Sequence, residues 1–451
     1  MYPMQSQWKR ALLFISVLAI AACEANPVSP RLAAPAPSNA LDPADVPVPT
    51  EADAIAITHR IKRVHMPFGT VADPVFGSGD PSSPAFTTIS TYDHAGDAAI
   101  WTGHFLAAEA TRFAVTGSDE ALKNVRKALR GLEALVDVTT PPQQNLLARF
   151  YMPQESPYTS GIIETEKRHG IYPSTLNGQP VWWIGNTTRD QYDGVFFGLA
   201  VAYDAVPNAG VRARISALVT RMLDYLLARQ WNIVMPDGKV SSTFNGKPDQ
   251  QLTLLQIGRH VNPARYAALY VAHRAALAPF VAAPVTAECQ DTYGSYFKFN
   301  LDYISFFNLI RLEEATSPYR PMYLAAYGQL RNCTYDQPTS DRQNAHFNMV
   351  DRALTGPEAT RDADTRESLG RWLARPRRDY HVDLRTTYPP EWICGDRACK
   401  PIPVDDRPPT DFLWQRSPLL LEGGNDGRVE EPGIDYILPY WMARLYGVLG
   451  S

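Results

Sequence analysis

The sequence predicts an all-α fold made of paired helices, and three observations carry that expectation. Apolar residues recur at helical spacing over most of the chain beyond residue 51: Leu122, Val125, Leu129, Leu132 and Val136 form one stripe, and Val195, Leu199, Ala202 and Val206 another. Short turns built from cap residues, such as Gly117-Ser118, separate the two members of a pair, whereas long connections separate the pairs. No series of regularly spaced alternating segments reads as a sheet.

Taken in order, Glu51–Lys62 reads as a first helix and residues 65–92 as a long loop rich in Pro, Gly and Ser. The helix from Ala98 to Val115 shows Trp101, Phe105 and Ala108 on one face and stops at Gly117, a left-handed cap. Ser118 caps its partner, with Asp119 and Glu120 in the first turn. Residues 139–185 form a second long connection that carries Glu155, Glu164, Glu166, His169 and the pair Trp182-Trp183. A second hairpin covers Arg189–Val206 and Val211–Gln230, followed by a turn-rich loop over Met235–Lys247. Asn262-Pro263 supplies an N-cap and first-turn proline for a helix to Leu277. Tyr296–Ala315 is a long helix whose partner starts at Ser317-Pro318 and runs to about Leu330. His346–Leu354 and Asp364–Leu373 make a shorter pair, residues 376–433 read as irregular, and Ile434–Leu449 closes the chain as a helix bent at Pro439.

Composition narrows the function classes. With 45% hydrophobic and 20% charged residues the chain is globular rather than disordered. A net charge of −4 without a long basic run excludes nucleic acid as the main partner, because phosphate binding needs a basic face. The 22 Tyr and 9 Trp offer flat apolar faces with polar edges, which suits sugar rings as well as ordinary packing.

The N-terminus is a targeting segment. Lys9-Arg10 precedes a short apolar run, Ala11 to Ile20, and Ile20-Ala21-Ala22-Cys23 resembles a bacterial lipobox. Residues 1–23 are then a signal peptide, Cys23 the lipid-attachment residue, residues 24–50 a Pro/Ala-rich tether, and residues 51–451 a single domain. The expected partner is a membrane reached through a lipid anchor, in an extracytoplasmic location, on the outer membrane if the source is Gram-negative. Removing Cys23 leaves four cysteines, an even number suited to an oxidising compartment, and pairs Cys394 with Cys399 and Cys289 with Cys333.

Two stretches share a design that carries chemistry. Asn186-Thr187-Thr188-Arg189-Asp190-Gln191-Tyr192-Asp193-Gly194 is a polar, doubly acidic turn running into an apolar helix, and Asp93-His94-Ala95-Gly96-Asp97 is another. Thr187 or Thr188 is expected to cap the first of these helices. Carboxylates in a first turn ordinarily serve capping or the helix dipole. Two of them at the starts of helices expected to open on one rim point to paired acid–base work. Gly-x-Ser-x-Gly, His-Glu-x-x-His and phosphate-loop motifs are absent, and no metal or cofactor is expected.

Gly96-Asp97-Ala98-Ala99-Ile100-Trp101-Thr102-Gly103, Arg189-Asp190-Gln191-Tyr192-Asp193-Gly194 and Pro432-Gly433-Ile434-Asp435-Tyr436-Ile437-Leu438-Pro439-Tyr440-Trp441 resemble motifs of the six-hairpin glycosidase-like superfamily. The chain is also similar to bacterial lipoproteins that share its (α/α)6 toroid. The resemblance covers most of the chain from about residue 51 and implies a toroid of helical hairpins with long irregular loops on one rim. It further implies glycoside hydrolysis by two carboxylates, one protonated toward the leaving oxygen and one ionised. Asp97, Asp190 and Asp193 are the catalytic candidates. Arg189, Gln191, Tyr192, Trp101, Trp182, Trp183, Asp411 and Trp414 are the substrate-binding candidates, with Asp411 a reserve acid. A polysaccharide lyase using His94, Tyr192 or His346 as base beside Arg189, and a non-catalytic glycan-binding or scaffold lipoprotein, are the alternatives.

Overall fold

The computed structural model describes residues 40–336, 344–409 and 411–450. Its helices are α1 (Glu51–Arg60), α2 (Ala98–Thr116), α3 (Asp119–Asp137), α4 (Thr159–Glu166), α5 (Arg189–Ala205), α6 (Ala209–Ala228) and α7 (Pro248–Val261). They continue with α8 (Pro263–Leu277), α9 (Ala282–Glu288), α10 (Tyr296–Arg311), α11 (Arg320–Arg331), α12 (Ala345–Thr355), α13 (Ala359–Ala374) and α14 (Ile434–Leu445).

The all-α expectation is overturned. The segments read as loops carry strands, and among the described residues these form four antiparallel sheets. β1 (Asp73–Phe76) and β2 (Ile89–Asp93) join β8 (Arg378–Asp383) and β11 (Glu422–Glu430) in the order β2-β1-β11-β8. A three-stranded sheet orders β3 (Phe150–Pro153), β5 (Gln179–Ile184) and β4 (Ile171–Leu176) as β3-β5-β4. β6 (Asn232–Val234) pairs with β7 (Val240–Thr243), and β9 (Ile393–Cys394) with β10 (Arg397–Ala398). The architecture is mixed α/β, and a ring of helical hairpins is not what the described residues show. The physical reason is that these strands are short and interrupted by Pro and Gly, so they lack sustained alternation. Turn chemistry still marks one of them: Asn177 and Gly178 both have positive φ, 50° and 79°, as the tight hairpin joining β4 to β5 requires.

The helical pairs follow their local signals more closely. Ser118 accepts a hydrogen bond from the Ala121 amide, and Gly117 adopts φ 64° behind α2. α7 was not anticipated at all, although Pro248 at its start and Asp249 in its first turn are ordinary helix-opening signals. It packs its apolar residues Leu252, Leu254, Leu255 and Ile257 in the core.

α2 and α5 touch through backbone. A Cβ on Gly103 would lie 2.1 Å from the Gly194 carbonyl oxygen, and one on Gly198 would lie 2.1 Å from that of Gly103. The contacts advance together along both helices, Ile100 meeting Gln191 and Gly194 before Gly103 meets Gly194 and Gly198. The two helices therefore run parallel, and both begin at the same end.

Cys289 is bonded to Cys333 and Cys394 to Cys399. Cys23 and most of the tether lie outside the described residues. At the tether's end, the amides of Ala40 and Leu41 donate to Asp406 and Asp405 at 3.0 and 2.7 Å, and Arg371 donates to the Leu41 carbonyl. Residues 40–41 are thus fastened to α13 and to the Val404–Asp406 turn.

Candidate active site

A cleft of about 420 Å³ opens where α2, α5, α7 and α10 begin. Asp97, Trp101, Arg189, Asp190, Lys247, Gln250, Phe297, Lys298 and Asn300 line it, with Trp414 and Gln415 from the late irregular segment.

The three-stranded sheet aims two segments at this cleft. Arg149, next to β3, donates its amide to the Ile184 carbonyl, which fixes it beside the end of β5. β5 runs through Asn186, at φ 50°, into Thr188 and α5. Arg149 then clamps both acidic turns. Its Nη1 donates to the Gly96 carbonyl at 2.7 Å and to Asp97 Oδ1 at 3.3 Å. Its Nε donates to the Asn186 carbonyl at 2.9 Å and its Nη2 to Thr188 Oγ1 at 2.8 Å.

Neither threonine acts as the expected cap. Thr187 donates to the Leu147 carbonyl at 2.6 Å, and Thr188 gives its hydroxyl proton to Asp190 Oδ1. The first-turn carboxylate outcompetes the backbone because it accepts a charge-assisted bond.

Gln191 joins the two acids. Its Oε1 accepts from the Ile100 amide at 3.1 Å, which fixes the orientation of the side-chain amide. Its Nε2 lies 2.9 Å from Asp97 Oδ1 and 3.0 Å from Asp190 Oδ2. Those two oxygens are therefore within about 6 Å of each other, close enough for both carboxyls to face one glycosidic bond.

The environments of the two carboxyls differ. Burial, then the neighbouring Asp190 charge, push Asp97 up to about 6 against the opposing pull of Arg149. Both donors to Asp97 fall on Oδ1, leaving Oδ2 to carry the proton. Asp190 has a donor on each oxygen, from Thr188 and Gln191.

The remaining candidates are distributed unevenly. Arg189 is at the cleft, held by the Thr243 carbonyl at 2.8 Å. Trp101 and Trp414 lie at its base, 7% and 0% exposed, in an aromatic cluster with Phe412, His104 and His346. Asp193 is buried behind Asp190 with no hydrogen-bond partner among the described residues, and burial followed by Asp249 and Asp190 holds it well above the usual carboxylate range despite Arg189. Tyr192 is a core residue whose hydroxyl accepts from the Leu147 amide. Trp183 is buried against Tyr172, and half-buried Trp182 packs in the core beneath the three-stranded sheet. Asp411 lies outside the cleft, 3.6 Å from Arg416, and acts on Asp97 through its charge.

Sequence reasoning missed Arg149, the bridging role of Gln191, and the far wall. On that wall Gln250 Oε1 and Asn300 Oδ1 are buried acceptors without a donor among the described residues. Lys247 pairs with Glu288 at 3.1 Å, and burial followed by Glu288 keeps Asp302 well above the usual carboxylate range. The start of α7, with Gln250 in the first turn that Pro248 opens, was the signal available for this wall. No grouping of three or more His, Cys, Asp or Glu side chains suited to a metal ion occurs among the described residues. In comparisons with known proteins, the chain matches no family model and no curated sequence.

Proposed function

We propose that the chain is an exported, lipid-anchored glycoside hydrolase that cleaves an oligo- or polysaccharide with Asp97 as acid and Asp190 as nucleophile. The observation that carries this reading is the Gln191 bridge, which holds two carboxyls within one cleft, Asp97 among them raised to about 6. Asp190 attacks the anomeric carbon as the glycosidic C–O bond breaks, and the Asp97 proton passes to the leaving oxygen. Asp97, now ionised, then takes a proton from water, which attacks the same carbon and releases Asp190.

The far wall also supports a polyhydroxylated ligand. Lys247, Gln250, Glu288 and Lys298 line the cleft with polar groups of the kind that pair with sugar hydroxyls. The two disulfides support an oxidising compartment. The lyase reading loses support because Tyr192 and His346 are buried away from the cleft and His94 is engaged with Asp73 at 2.8 Å.

The test is a glycan panel assayed for new reducing ends. Hydrolysis releases them without ultraviolet-absorbing product, and Asp190→Asn abolishes release. An absorbing, unsaturated product points instead to elimination, and saturable binding without turnover points to a scaffold.

A further inference from the structure

The cleft continues beyond the paired acids. A second hollow of about 410 Å³, lined by Tyr293, Tyr296, Phe297, Gln415, Arg416 and Ser417, shares Phe297 and Gln415 with the first. Either volume alone falls in the range of roughly 300–1,000 Å³ that houses a small-molecule ligand. Together they admit more than one sugar ring.

Phe297 stands at the seam. The helical phase of α10 gives its core face to Tyr296, Phe299, Tyr303 and Phe307, which leaves Phe297 out of phase and 52% exposed. An exposed phenyl ring at the junction of two hollows keeps apolar surface in water until something flat covers it. The C–H face of a sugar ring does so. The same seam is cationic: Lys298 Nζ lies 5.6 Å from the centre of the Phe297 ring, and the Arg416 side chain is 58% exposed with Asp411 at 3.6 Å. Glu422, across the second hollow, pairs at 2.9 Å with Arg385, which Asp383 also holds at 2.6 Å.

We infer that the two hollows form one groove for an acidic oligosaccharide. Phe297 stacks on the sugar next to the cleavage point, and Lys298 and Arg416 receive the carboxylates of neighbouring units. The inference rests on the carbohydrate reading above and adds chain length and charge to it. A neutral chain would leave Lys298, which has no salt-bridge partner among the described residues, without counter-charge at the rim, and would leave Arg416 only Asp411 at 3.6 Å.

The experiment is calorimetric binding to the full chain carrying Asp190→Asn, so that no ligand is consumed. The probes are di- and tetrasaccharides of galacturonate, of mannuronate–guluronate and of hyaluronan, with cello-oligosaccharides as the neutral series. Expected is a uronate tetramer that binds at least about tenfold more tightly than its dimer. Phe297→Ala should weaken the tetramer more than the dimer and so reduce that advantage, and Arg416→Gln should weaken the tetramer and flatten its salt dependence. The inference is overturned if the neutral tetramer binds as tightly, if Phe297→Ala weakens dimer and tetramer alike, or if no uronate oligomer binds. Length-dependent uronate binding by a wild-type chain that cleaves none of them sinks the hydrolase reading and leaves the groove. Cleavage whose length preference survives Phe297→Ala does the reverse. Both side chains are largely exposed, so thermal melting should show both variants folded.

Discussion

Asp97 and Asp190 both accept from Nε2 of Gln191, at 2.9 and 3.0 Å. Gln191 Oε1 is engaged by the Ile100 amide, so the side chain cannot turn over without losing three bonds. Gln191 is therefore a positioning residue. Gln191→Met keeps its length and removes both donors. It should lower kcat on a cleavable glycan by roughly 10–100-fold, the scale of a misplaced catalytic group, with KM little changed. An equal fall produced by unfolding would show as a lowered melting temperature.

The acid assigned to Asp97 sets the alkaline side of the pH profile. With Asp97 at about 6, kcat/KM should fall as pH rises through that value and the proton needed by the leaving oxygen is lost. Asp411 is one of the like charges holding Asp97 up. Asp411→Asn should move the alkaline limb to lower pH, measured as a pH–rate series at constant ionic strength. An unmoved limb would remove Asp97 from the acid's role.

The same shift makes Asp97 a liability to the fold. A carboxyl whose folded pKa is raised above its ordinary value favours the folded state least when ionised, so stability declines as pH rises from near 4 to about 6. Asp97→Asn should melt higher than the wild type at pH 7.5 and at nearly the same temperature at pH 4, while losing activity. Differential scanning at the two pH values reads this directly.

Gly103 permits the approach that brings the acids together. Gly103→Ala would set a methyl group 2.1 Å from the Gly194 carbonyl, and backbone has to move. The expected cost is about 1–3 kcal/mol in urea unfolding, the usual range for overpacking. Activity should fall further than stability, because separating α2 from α5 also stretches the Gln191 bridge.

Lipidation is tested on Cys23. Cys23→Ser should abolish incorporation of labelled palmitate and release the protein into the soluble fraction. Persistence in the membrane would favour a different anchor.

How much of this was legible depends on the kind of signal. The acidic turns at Asp97 and Asp190, the cap pair Gly117-Ser118 and the helix bounds of α2, α3, α5 and α6 are local, and local chemistry specifies them. β3 and β11 are not local: Phe150 acquires a strand's role only by pairing with Ile184, and the glycine-rich run at 422–430 only by lying between β1 and β8. Arg149 was hidden for the same reason. Its four acceptors come from residues 96, 97, 186 and 188, which only the folded sheet brings within reach. Trp183 reads as exposed in sequence but is covered by Tyr172 across the β4–β5 pair, its partner in register.

The fastening of Ala40 and Leu41 to Asp405, Asp406 and Arg371 has a mechanical consequence. A pull applied through the leader is met at that knot, between α13 and the Val404–Asp406 turn, before it reaches α1. These ionic and amide contacts would then share the load in parallel and shield α1 from it.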